Sequence, residues 1–284
     1  MNRRRLLLLA VLVPAVLPGA ASAAVRSYGG TTSDGQPFVI GVNTATGNVE
    51  RIGVMFSARC TSGMGYSFGH RLTRKAGPAT EPQPGEYPLT VRKRARGAFT
   101  ASGTAFEALS EGRIAGIKTE FTGRIRGTKV TGTVRSTVTV GKDASGGAPE
   151  DTCTYAKHTF RTQFARGRIL TGQTTQNLPV VVTLTSRARS VKVMNIGWNA
   201  ECEPPGFIQI PDELINFRIR GGAFGDKFDH TITLDDGTQR TFNYDLKGRA
   251  TRRRASGTIG IVMEDKGGSA PGTCRTGTVR WSAS

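Results

Sequence analysis

Aromatic residues are scarce in this chain of 284 residues, at 7% with only two Trp. Histidine is limited to His70, His158 and His230, too scattered to suggest a zinc triad. Acidic residues are outnumbered, 21 Asp and Glu against 39 Lys and Arg, which leaves a formal charge of +18. After Val16 no apolar run approaches the roughly 20 residues of a spanning helix, so no transmembrane segment is expected there. Good helix formers give way to 37 Gly and 35 Thr, residues that are poor in helix interiors and common in strands and turns, which argues against a helical bundle. The hydrophobic share, 37%, is still enough to build cores and argues against wholesale disorder.

What is present begins with an export signal. Arg3, Arg4 and Arg5 precede an apolar stretch from Leu6 to Val16, and Pro18-Gly19 then leads to Ala21-Ser22-Ala23. That order is the pattern of a secretory signal peptide over 1–23, with a mature chain from Ala24. No Cys lies near the cleavage site, which argues against a lipid anchor. The expected location is secreted or in the extracytoplasmic envelope.

Four cysteines follow, Cys60, Cys153, Cys202 and Cys274, an even number that reads as disulfides in an exported chain. An internal repeat selects among their three pairings. At an offset of 142, Pro37, Val39, Val49, Ala58 and Cys60 fall on Pro179, Val181, Val191, Ala200 and Cys202. At 125, Gly97-Ala98-Phe99 falls on Gly222-Ala223-Phe224, Gly123-Arg124 on Gly248-Arg249, and Gly132-Thr133 on Gly257-Thr258. At 121, Thr152-Cys153 falls on Thr273-Cys274 and Phe160 on Trp281. The chain therefore divides into two homologous halves, 24–165 and 166–284, and the economical pairing is Cys60 with Cys153 and Cys202 with Cys274. Closing loops of 93 and 72 residues removes denatured-state entropy worth roughly 4 to 4.7 kcal/mol per bridge, as an upper figure.

Period-2 alternation dominates both halves. In the first it marks strands near 25–32, 37–44, 49–60, 65–73, 97–108, 115–126, 129–140 and 152–163. In the second, Thr231–Leu234 and Thr238–Leu246 flank Asp235-Asp236-Gly237, a hairpin turn signal. The stretch from Gly77 to Gly97 carries four prolines and four basic residues, and reads as an exposed, partly extended loop entering a strand. No helix-period segment follows a strand, which excludes a doubly wound α/β fold. The expected class is all-β: two tandem homologous antiparallel β-sandwich or β-barrel domains, each with one intradomain disulfide.

No motif carries specific chemistry. Gly65-Tyr66-Ser67-Phe68-Gly69 matches the G-x-S-x-G pattern, but the strand, sharp turn and helix that a nucleophile elbow needs are missing, so a strand with Tyr66 and Phe68 on one face is expected. Asp226, Asp229, His230, Asp235 and Asp236 crowd one region, and Glu201 and Glu203 flank Cys202, without the spacing of a calcium loop. Glu150-Asp151 and Glu264-Asp265 lie in Gly- and Pro-rich loops where acids are commonly solvated. Neither a cofactor nor a metal is called for, and no catalytic residue is assigned.

Charge is the strongest remaining signal. Its clusters are Arg92, Lys93, Arg94 and Arg96 in the first half and Arg252, Arg253 and Arg254 in the second, candidates for polyanion binding. No specific nucleic-acid motif appears, because aromatics are not interleaved with the basic residues. The expected function is non-enzymatic binding to anionic envelope or extracellular material, with an anionic envelope polymer or polysaccharide as partner. The alternatives are a secreted hydrolase of glycan or ester substrates and a structural or adhesive protein that binds another protein.

Overall fold

The computed structural model describes residues 24–74, 86–109, 112–141, 149–234, 236–267 and 272–284. Residues 1–23, expected from sequence to be an export signal, lie outside them, as do Asp235 and the proline-rich stretch before Glu86. The fold is all-β. Nine strands form the first body: β1 (Val25–Thr32), β2 (Pro37–Asn43), β3 (Val49–Cys60), β4 (Gly65–Thr73), β5 (Glu86–Lys93), β6 (Ala98–Ala108), β7 (Ile114–Arg126), β8 (Lys129–Gly141) and β9 (Asp151–Gln163). Eight form the second: β10 (Ile169–Thr174), β11 (Pro179–Leu184), β12 (Ser190–Glu203), β13 (Gly206–Arg218), β14 (Ala223–Thr233), β15 (Gln239–Ala250), β16 (Ala255–Lys266) and β17 (Gly272–Ala283).

Alternation translates directly into burial. Along β7, Ala115, Ile117, Thr119 and Phe121 are buried while Lys118 and Thr122 are exposed, because successive side chains leave opposite faces of a strand. The first nine strands close into a barrel in sequence order, with β9 pairing back to both β1 and β3. Their interior is packed with rings: Phe38 stacks on Phe160 at 4.3 Å, and Phe121 meets Phe38 edge-on at 5.9 Å. The second sheet runs β13-β12-β11-β10-β17-β16-β15-β14, and β17 likewise also pairs with β12. Its core is separate and centres on Trp198, Phe242, Tyr244 and Trp281.

The two disulfides join the pairings expected from the sequence, Cys60 to Cys153 across β3 and β9, and Cys202 to Cys274 across β12 and β17. The residues that match between halves are also physical partners. A Cβ on Gly123 would lie 2.5 Å from the Phe99 ring, and one on Gly248 would lie 2.5 Å from Phe224. In each half an aromatic ring lies over a bare backbone on the neighbouring strand, so neither member of the pair can change alone.

One sequence expectation is corrected. The segment from Glu86 to Lys93, read as loop, is strand β5, parallel to β4 through Arg71–Thr73 and antiparallel to β6. Pro88 and the following basic residues hid the alternation of Tyr87 and Leu89, which are buried, with Val91, which packs on the core. The second half has no strand at this place, so its sheet stays open between β13 and β14, and Phe217, Phe224 and Phe228 fill the seam at ring separations of 6.2 Å.

Val39, Met55, Leu178 and Val181 are buried yet belong to neither core. They form the contact between barrel and sheet, where Met55 lies against Gly197 and Leu178 against Gly69. Both tryptophans lie in the second sheet, so their fluorescence reports that sheet alone, whereas far-UV circular dichroism reports both. Met55→Ala empties a fully buried site without touching either core. It is expected to cost about 2 to 4 kcal/mol and to separate the two transitions in a denaturant titration. Coincident transitions in the variant would show that the contact does not couple the two bodies.

Candidate functional site

Antiparallel order decides where the loops go. β9 ends, and β10 begins, at the same end of their respective sheets as the turns β5–β6, β7–β8, β11–β12, β13–β14 and β15–β16. In the second sheet that end consists of residues 164–168, 185–189, 218–222 and 249–254, none of which is Asp or Glu. Its ten arginines are Arg166, Arg168, Arg187, Arg189, Arg218, Arg220, Arg249, Arg252, Arg253 and Arg254, all exposed. Among the described residues none of the ten makes an ion pair with a carboxylate. The opposite end carries Glu203, Asp236, Glu264 and Asp265. The sheet is thus polarised along its strands.

Local hydrogen bonds fix this rim. The Leu184 N–H donates to the Arg168 carbonyl at 2.7 Å, and the Ile219 N–H to the Arg189 carbonyl at 2.8 Å. Thr251 Oγ1 accepts from the N–H groups of Arg253 and Arg254, both at 3.2 Å, and so shapes the turn that presents Arg252–Arg254. Arg252 reaches the Ser186 carbonyl at 3.5 Å and packs beside Gly167.

The barrel bears its own basic rim at the equivalent end. Arg92 and Lys93 close β5, Arg94 and Arg96 occupy the turn that follows, and Arg124, Arg126 and Lys129 flank the neighbouring β7–β8 turn. Gly97 brings the two turns together, since a Cβ there would lie 2.5 Å from the Ile125 carbonyl oxygen. Lys93 Nζ donates to the Thr46 carbonyl at 2.6 Å. Residues 164–168 link the rims: the Phe164 N–H donates to Thr128 of the barrel at 2.8 Å, and Arg168 is already part of the second rim. Arg26 stands over the Phe164 ring at 4.9 Å, at the junction. The predicted clusters therefore lie on adjoining rims, but Arg92 and Arg254 point into different hollows. Arg92 faces one on the barrel wall with Arg135 and Lys157, and Arg254 faces one between barrel and sheet.

That second hollow, about 550 Å3, was not legible in the sequence. Its basic residues are Arg51, Arg71 and Arg254, and Gln173 and Asn177 add amide groups. Arg51 and Arg71 lie in different strands with no shared motif, and only the pairing of β3 with β4 brings them near each other. Arg51 crosses the bare backbone of Gly41 to reach Ser27 Oγ at 2.6 Å. Arg71 bonds Glu86 at 2.7 Å and also Gln173 across the contact between the two bodies. Burial, with Arg71 beside it, lowers the pKa of the Arg51 guanidinium.

The catalytic arrangements weighed from sequence are not assembled. Ser67 faces outward and bonds Ser57 Oγ at 2.9 Å, while His70, three residues on, points into the barrel against Thr119 Oγ1 at 3.2 Å. Tyr66 and Phe68 share the inner face, as expected. Glu201 and Glu203 line one hollow with Arg275, and Asp226 lines another with Lys227, Asp245 and Lys247. Asp265 is held by Arg240 through two bonds of 2.7 Å, and Asp151 accepts from Thr61 and Ser62, which pulls its pKa down to about 2. Among the described residues, the one set of three metal-type atoms in reach is Cys60, Asp151 and Cys153, and both of its sulfurs are spent in the disulfide. Compared with known families, with curated proteins and with solved structures, the chain matches none.

Two buried titratable groups give the barrel a pH signature. Burial lowers the His70 pKa to about 4 and raises that of Glu107 to about 8. The raised Glu107 value means that its contribution is fully present below the unfolded value of about 4.5 and is lost as pH rises toward 8. The lowered His70 value means that its contribution is present above about 6.5 and is lost as pH falls toward 4. Between about 4.5 and 6.5 the two slopes oppose each other. Stability is expected to drop by about 2 kcal/mol from pH 6.5 to 8 through Glu107, and Glu107→Gln should flatten that limb in urea titrations. An unchanged limb in the variant would assign it to another group.

Proposed function

We propose that this chain is an exported, non-enzymatic protein of two tandem homologous β modules that holds polyanionic material of the cell envelope or extracellular space on its adjoining arginine rims. The observation that carries this reading is a rim of ten exposed arginines whose own segments hold no Asp or Glu, with Asp226 and Asp245 near Arg218 and Arg220 as its nearest acids in a shared hollow, joined through residues 164–168 to the basic rim of the barrel. Like charges brought this close repel, and at physiological ionic strength the Debye length is only about 8 Å. A flexible polymer with regularly spaced anionic groups relieves that repulsion at many points at once and releases its counterions. Two disulfides suit an oxidising compartment, and no helix among the described residues is long and apolar enough to cross a membrane. Segregation of charge favours binding over a solubilising role, since a solubilising surface intersperses both signs.

The test uses labelled linear polyphosphate and the mature protein across a salt series. Each neutralised anionic group contributes about 0.7 to 0.9 to the slope of log affinity against log salt. Reversal of Arg94, Arg96, Arg252 and Arg253 to Glu is expected to reduce that slope by about three and to abolish retention at physiological salt. Reversal of four basic residues on strand faces, Lys118, Arg135, Lys157 and Lys227, should leave most of the affinity. Equal losses in the two variants would mean that net charge alone is responsible and would overturn the rim reading.

A further inference from the structure

The hollow between barrel and sheet differs from the rims in being concave and lined by residues of both bodies. We propose that it is a discrete oxyanion site, which takes one phosphate or sulfate group, free or as a substituent of a polymer, on Arg51, Arg71 and Arg254. Its ligand class rests on the polyanion reading, and its position does not.

The argument begins with charge. A guanidinium that gives up part of its hydration needs a compensating anion or a full set of acceptors. Arg51 is partly buried, and one bond to Ser27 leaves most of its five N–H donors for other partners. The nearest acid, Glu86, is engaged by Arg71 at 2.7 Å. Arg51 and Arg71 therefore share one carboxylate side chain, and the lining of the hollow, which also includes Arg254, contains no Asp or Glu. Ser284 is also on the wall, where its backbone oxygen accepts from the Thr171 N–H at 3.2 Å.

The second line is geometric. Each guanidinium offers paired donors that suit a tetrahedral oxyanion, and the β3–β4 register sets Arg51 and Arg71 diagonally across from each other on the wall of the same hollow. Gly41 lets the Arg51 stem lie flat across β2, because a Cβ at that position would come within 2.6 Å of its Cγ and 2.8 Å of its Nε. Arg71 is steadied from both bodies, by Glu86 in the barrel and Gln173 in the second sheet. Hydroxyl groups of Thr171, Ser256 and Ser282 complete a polar wall. The hollow is specific to one side of the repeat. At the positions equivalent to Arg51 and Ser27 the second half has Val193 and Ile169, so duplication alone did not produce it. Arg254 belongs to both hollow and rim, which lets a polymer on the rim place one of its groups here.

Inorganic phosphate is the probe, titrated into the mature protein by calorimetry, with the Arg Nε–Hε resonances followed by NMR. Saturable one-to-one binding that shifts the Arg51 and Arg71 resonances is expected. Arg51→Gln should weaken it by at least about tenfold, the loss of one charge-assisted bond, at an unchanged thermal midpoint in phosphate-free buffer. The rim variant with Arg94, Arg96, Arg252 and Arg253 reversed should keep phosphate binding while losing polyphosphate. Absence of saturable phosphate binding in the unaltered protein, or binding that Arg51→Gln leaves intact, would overturn the site without affecting the rim reading. Retention of polyphosphate by the rim variant through phosphate-competable contacts would instead overturn the rim reading and keep the site.

Discussion

Each sheet is tied by the pairing of its last strand with both its first and its third, and the rest of the structure depends on that tie. β9 hydrogen-bonds to β1 along one stretch and to β3 along another, with Cys60–Cys153 at the latter; β17 does the same with β10, β12 and Cys202–Cys274. A strand that serves two neighbours must diverge along its length, and that divergence lets a sheet of long strands curl into a barrel or near-barrel. The disulfide holds the point of divergence. The ends of each half are thereby fixed, and a linker of five residues is enough to join them.

That tie also makes the charge distribution a matter of topology. Residues far apart in sequence, such as Arg168, Arg189, Arg218 and Arg252, become neighbours because antiparallel strands return alternate loops to the same end. Composition fixes only the total charge, and the strand order gathers the exposed arginines at one end of the second sheet while the other end mixes acids with Arg240, Lys266 and Arg275.

The disulfide pairing and most strands were legible because their causes are local. Matched glycines and aromatics proved to be cross-strand partners, Phe99 with Gly123 and Phe224 with Gly248, so the similarity between halves records a packing rule. What escaped has a common origin. β5 was hidden because Pro88 and a basic run suggest loop, and its parallel pairing with β4 has no signature in a sequence of hairpins. Arg51 and Arg71 escaped because charges on separate strands gain meaning only from register, which single positions do not encode. The continuity of the rims depends on which end of each sheet the linker joins, and that follows only when every strand, including β5, is counted.

The halves then differ where function would be expected to diverge. The first copy keeps β5 and closes. The second, without it, leaves β13 and β14 as edges joined by a short turn and seals the gap with Phe217, Phe224 and Phe228 in place of backbone hydrogen bonds. Without a strand at that place, Arg218 and Arg220 lie at the end of edge strand β13, close in the order of the sheet to Arg249 on β15, whereas in the barrel β5 stands between the corresponding strands. Within the second body the aromatic core is pinned to β13 by Asp212, which accepts from Trp198 Nε1 at 2.6 Å and from the Tyr244 hydroxyl at 3.0 Å, so a side chain of edge strand β13 is tied to β12 and β15 without a partner strand on its open side.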